Sequence, residues 1–122
     1  MNIEKIRTLF TLFSGEDVLD TYVPLITLAV DEVNRMLLPN ADNTDVRLDF
    51  LAAAIANNRL QKIKNARDRS EITFAGKMLS ADRGSLIYSE KLVSDYLQLC
   101  SELINSKTFI FSAFSCGEDG IS

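Results

Sequence analysis

The sequence predicts a mainly α-helical fold: a bundle of about four helices with a short β-hairpin or strand pair and an extended C-terminal tail. Three observations carry this reading. Apolar residues recur at spacings of three and four through most of the first 65 positions and again over Ser85–Asn105. That period breaks at Glu71–Leu79, where Ile72 and Phe74 alternate with Glu71 and Thr73. After residue 108 the chain becomes phenylalanine-rich without helical spacing. The expected division is a helical domain over 1–108 and a tail over 109–122.

The first helix is expected at Ile3–Phe13, where Ile3, Ile6, Leu9, Phe10 and Phe13 share a face. Ser14-Gly15 ends it, with Gly15 suited to a left-handed cap. The second helix runs to Leu38 from Asp17 or Asp20, and Leu19, Tyr22, Val23, Ile26, Ala29, Val30, Val33, Met36 and Leu37 mark its face. Pro24 is tolerated only near a helix start, since it lacks an N–H and crowds the preceding turn. Asp20 is therefore the favoured cap, the alternative being a kink at Pro24. Pro39-Asn40 closes the element.

Asn43 or Thr44 is the expected cap of a third helix, Asp45 to about Asn65. Its Ala52-Ala53-Ala54 and Ala56 make it thin, so a close crossing with the second helix is expected. The segment Glu71–Leu79 reads as a strand or hairpin, with Ala75-Gly76-Lys77 as its turn. Ser85 then caps a last helix whose apolar face, Leu92, Val93, Tyr96, Leu97, Leu99, Cys100, Leu103 and Ile104, is wide enough to make it the central one. The alternative is that part of this face meets another subunit.

At 122 residues, with 47% hydrophobic and 25% charged, the composition is that of one folded domain. No apolar run reaches a membrane span, the first residues lack the order of a signal peptide, and a cytosolic product is expected. Two cysteines make no disulfide framework, and Cys100 is expected as a buried thiol. The absence of histidine removes the commonest general base and metal ligand. No Gly-rich phosphate loop or nucleophile motif replaces it, so neither catalysis nor a cofactor is expected. Asp42, Asp45 and Asp49 lack the spacing of a calcium loop and are read as helix-start and solvent-facing charges.

Charge is uneven: about −5 over residues 1–50, +4 over 51–83 and −3 over 84–122. Glu16, Asp17 and Asp20 form the acidic cluster, and Arg59, Lys62, Lys64, Arg67 and Arg69 the basic one. Each is a solvated face or one half of a contact surface. No aromatic residues interleave with the basic ones, so stacking on single-stranded nucleic acid is not supported. In the tail, Phe109, Ile110, Phe111 and Phe114 make an apolar segment that needs cover from its own core or another chain.

Two stretches, DTYVPLITLAVDEVNRML over Asp20–Leu37 and DVRLDFLAAAIANNRL over Asp45–Leu60, resemble the first long helix and the alanine-rich second helix of small phage head–tail connector proteins. The order that follows, a short strand region, a further helix and a Phe-rich end, is similar over roughly residues 15–115. Such a member would come from a prophage-like element of Gram-positive bacteria. The family's aromatic belt after the alanine-rich helix is replaced here by Asn57-Asn58-Arg59.

The resemblance implies a structural protein that forms a ring, commonly of twelve copies, beneath the portal. Its partners would be copies of itself, the portal protein and downstream neck or tail proteins, with DNA only as cargo in the channel and no membrane. It would sit in the neck of a virion or phage-like particle, after assembly in the host cytoplasm. Phe109, Ile110, Phe111 and Phe114 would be portal or neighbour contacts. An acidic first half and a basic middle would make neighbouring copies complementary. The alternatives are another morphogenesis protein, such as a tail-completion factor or assembly chaperone, or a dimeric helical binding or regulatory module.

Overall fold

The computed structural model describes residues 1–16, 20–75 and 83–105, with side chains up to Arg67 and again from residue 84. The chain forms α1 (Ile3–Ser14), one 3-10 turn (Asp20–Tyr22), α2 (Val23–Met36), α3 (Val46–Ala75) and α4 (Arg83–Leu99). The mainly helical bundle expected from the periodicity is what these residues form.

Helix α1 starts at Asn2, whose Oδ1 accepts from the Lys5 N–H at 3.2 Å. It ends at Gly15, whose φ of 75° is the left-handed conformation in which its N–H reaches the Thr11 carbonyl. In α2 the proline decides the start. Asp20 lies in the 3-10 turn rather than at the cap, Tyr22 is the N-cap, and Pro24 sits in the first turn, where its missing N–H costs nothing. No kink is needed. Asp45, not Asn43 or Thr44, caps α3: its Oδ1 accepts from the Arg47 N–H at 2.9 Å.

The largest departure is the length of α3. It runs 30 residues to Ala75, about 45 Å at the α-helical rise, so residues 71–75 are helical and the expected strand does not exist there. A four-residue alternation is too short to tell strand from helix by period alone. No glycine or proline interrupts residues 46–75, and extending a helix already nucleated is easy. Residues 76–79 of the expected hairpin lie outside the described residues, as does the whole tail, 109–122. Among the described residues β structure is limited to one antiparallel bridge, Leu37 with Ile104.

The central helix is α3, not α4. Helices α1, α2 and α4 each pack along it and meet one another little. Every residue from Leu51 to Asn58 is buried. Successive helical positions lie 100° apart, so α3 is covered on all sides there. The four alanines are what permit this, since each is fully buried with only a methyl group to fit. Around them pack Ile6 and Phe10 from α1, Ile26, Ala29, Val33 and Met36 from α2, and Val93 from α4.

Helix α4 stops at Leu99 instead of continuing to Asn105. The chain turns through residues 100–103, where the Leu103 N–H reaches the Cys100 carbonyl at 2.7 Å. It then pairs with the end of α2: Leu38 N–H to Leu103 O at 3.0 Å and Asn105 N–H to Met36 O at 2.7 Å. Cys100 is fully buried, as expected, and its Sγ lies 3.4 Å from the Arg47 carbonyl. Burial pushes the thiol up to about 11.

Buried polar groups interrupt the core along α3: Asn57, Asn58, Gln61 and Asn65, with Ser89 opposite on α4. Asn58 Nδ2 donates to Ser89 Oγ at 3.1 Å, and that hydroxyl donates to the Leu86 carbonyl at 2.7 Å. Asn58→Leu or Ser89→Ala alone is expected to cost about 1–3 kcal/mol, because each strips a buried group of a partner. The double variant should cost less than the sum of the two by about 0.5–1.5 kcal/mol, the coupling typical of contacting polar groups. Urea unfolding of the four proteins measures the cycle, and strict additivity would show that the two side chains do not depend on each other.

Candidate interaction surface

The basic and acidic residues singled out in the sequence meet each other within the chain. Lys64 on α3 donates to Glu16 at 2.8 Å, just beyond α1, and Tyr22 OH donates to the other oxygen of Glu16 at 3.4 Å. Arg59 makes a two-pronged contact with Glu32 on α2, a planar geometry that guanidinium fits better than ammonium. Asp20 is exposed and lies 3.8 Å from Arg7. Arg67 is exposed and Lys62 half-buried. Asp17 and the Arg69 side chain lie outside the described residues, as do Phe109, Ile110, Phe111 and Phe114. Glu32 carried no signal in the sequence, because nothing local shows that α2 presents it to Arg59.

A second ionic group clasps the start of α3 to the end of α4. Arg47 contacts the Asp45 carboxylate at 2.9 Å, Glu102 at 2.8 Å and the Leu99 carbonyl at 3.2 Å. The aspartates read as helix-start or solvent-facing charges have separate tasks. Asp42 accepts from the Thr44 N–H and hydroxyl, Asp45 caps α3, and Asp49, itself buried, accepts from the Asn2 N–H at 3.0 Å. Among the described residues no group of His, Cys, Asp or Glu is arranged to hold a metal ion, and no helix is long and apolar enough to cross a membrane.

These contacts fix a pH dependence. The hydrogen bond from Lys64 holds Glu16 below its ordinary 4.5, and Arg47 brings Asp45 from 3.8 down to about 2. Both carboxylates are depressed in the folded chain, so their stabilisation is complete above their unfolded values and is lost as pH falls through the folded ones. The urea midpoint should therefore drop between about pH 4.5 and 2. Lys64→Met should flatten the upper part of that slope and Arg47→Met the lower part. An unchanged slope in both variants would mean that other carboxylates control it.

Large apolar side chains are exposed on several elements, among them Leu12 on α1, Leu28 on α2 and, on α4, Ile87, Tyr88 and Leu99, which are 63%, 56% and 51% exposed. Tyr88 and Leu99 are eleven positions apart, three helical turns, and so lie on one side of α4, with the exposed Lys91–Asp95 ion pair between them. Behind that side, Tyr96 packs on Phe13 of α1 and Phe50 of α3, with ring centres 6.0 and 5.5 Å away. At the N-terminal end of α4 a cavity of about 240 Å³ opens between three helices, lined by Phe13, Ser14, Asn57, Gln61, Lys64, Asn65, Ser85 and Tyr88. A shallower depression lies beside the Leu37–Ile104 bridge, between Pro39, Asp42, Arg47 and Glu102. Of the first cavity's lining only Asn57 stood out in the sequence, within the Asn57-Asn58-Arg59 that replaces the aromatic belt of the resembled connectors.

In comparisons with known proteins, no family model, no curated protein and no solved structure matches this chain.

Proposed function

We propose that this chain is a structural, non-catalytic assembly protein, a head–tail connector that forms a ring between the portal and the neck or tail proteins of a phage or phage-like particle. The reading starts from the resemblance of Asp20–Leu37 and Asp45–Leu60 to the two long helices of such connectors. Supporting it, those stretches contain α2 and the first half of α3, packed on each other. The observation that carries it is the outward side of α4, where Ile87, Tyr88 and Leu99 are exposed around the Lys91–Asp95 ion pair. A ring needs one face of each copy to meet a different face of the next, and exposed apolar side chains around an ion pair can supply half of such a contact. With Glu16 and Glu32 engaged by Lys64 and Arg59 within the chain, apolar packing is the stronger source of contact between copies.

Electron microscopy of assembled particles should place the protein in a ring next to the portal. A position in the tail tube, or absence from particles, would overturn the reading. Deleting residues 109–122 should impair particle assembly while shifting the thermal midpoint of the isolated chain little. Unfolding of the truncated chain would instead assign the Phe-rich segment to its own core.

A further inference from the structure

The cavity between α1, α3 and α4 holds the one buried side-chain oxygen, Asn65 Oδ1, that lacks a hydrogen-bond partner among the described residues. Asn65 is 8% exposed and lines the cavity. It stands at the end of a row in which Asn57, Gln61 and Asn65 recur every fourth residue and so project from one face of α3. Within the row, Gln61 Nε2 donates to Asn57 Oδ1 at 3.0 Å. Ser14 has its one hydroxyl proton committed to the Phe10 carbonyl and accepts from the Glu16 N–H, so it cannot donate to Asn65. Leaving a buried carbonyl oxygen unpaired is costly, and native interiors rarely do so without a reason.

The geometry points to a binding site for a neutral carboxamide, the group carried by an Asn or Gln side chain or by a small primary amide. Three considerations select that chemistry. The unpaired atom is an acceptor, so a carboxylate or phosphate would set oxygen against oxygen. The one cationic group in the lining, Lys64, is neutralised by Glu16, so the cavity offers little net charge to hold either an anion or an ammonium. The remaining polar lining is amide and hydroxyl, and an amide ligand presents an N–H and a C=O together. It therefore matches the Asn65 side chain in either of the two orientations of that amide. The oxygen is closed to solvent in the structure, but the terminal torsion of asparagine is soft, so a small rotation brings it to the cavity wall. Phe13 and Tyr88 supply apolar surface for the rest of the ligand, and the volume suits a group of this size.

The test follows the side-chain NH₂ resonances of Asn57, Gln61 and Asn65 in ¹⁵N-labelled protein during titration with propionamide, propionate and propylamine. Propionamide should shift the Asn65 signals saturably, while the two charged probes should not. Asn65→Leu should bind propionamide about tenfold more weakly, the loss of one buried hydrogen bond. A capped Ala-Gln-Ala peptide separates the two sources of the group. Binding tighter than propionamide points to a side chain on a partner protein, and equal or weaker binding to a free small amide. No saturable shift in the wild-type chain, or the same shift with all three probes, would overturn the assignment and leave a cavity filled by water.

Discussion

Phe10→Ala is expected to remove about 3–5 kcal/mol of stability, the largest effect of any single substitution considered. Phe10 is fully buried, and its ring lies 5.7 Å from that of Tyr22. With Ile6 one turn earlier, it is the main apolar payload by which α1 docks on α3. A domain of this kind has about 5–15 kcal/mol in total, so the variant would be marginal. Urea unfolding followed by circular dichroism measures it. A loss below about 1 kcal/mol would mean that α1 is an attachment rather than part of the cooperative unit.

Ala53→Leu is expected to cost about 3 kcal/mol, the upper end of the range for overpacking. Ala53 is fully buried in the stretch of α3 enclosed on all sides, so the added carbons displace a neighbouring helix. The control is the same substitution thirteen residues further along α3: Ala66 is exposed, and Ala66→Leu should change stability by less than about 0.5 kcal/mol. Thermal melts of the pair check both. Similar small shifts in the two variants would show that α3 is not the enclosed axis of the bundle.

The residues differ in how plainly they announced these roles. Helices α1 and α2 were readable because their apolar period is strong and their ends carry local signals, Gly15 and Pro24. The enclosed part of α3 was readable as thin through its alanines. Its continuation to Ala75 was not, since Glu71–Phe74 fits two periods equally and only helix continuity decides. Choosing α4 as the axis failed for a related reason. A wide apolar face shows that a helix needs cover, but small buried residues show where three neighbours converge. The ion pairs were the least legible part. The clusters at Glu16–Asp20 and Arg59–Arg69 stood out as charge, yet their partners are set by packing between α1, α2 and α3. Nothing in the sequence marked Asn57, Gln61 and Asn65 as interior, and only the position of α4 makes them so.

The pairing of Leu37 with Ile104 closes a loop that contains α3 and α4. Closing that loop orders much of the chain for two backbone hydrogen bonds, so it is costly until the helices it joins are in place. The amides of Leu38 and Asn105 thereby become clocks for two kinds of opening. If their hydrogen exchange matches that of the α3 interior, the clasp opens only when the whole domain does. If it is faster, the end of α4 peels away as a separate unit, and the chain carries a built-in joint just ahead of its phenylalanine-rich segment.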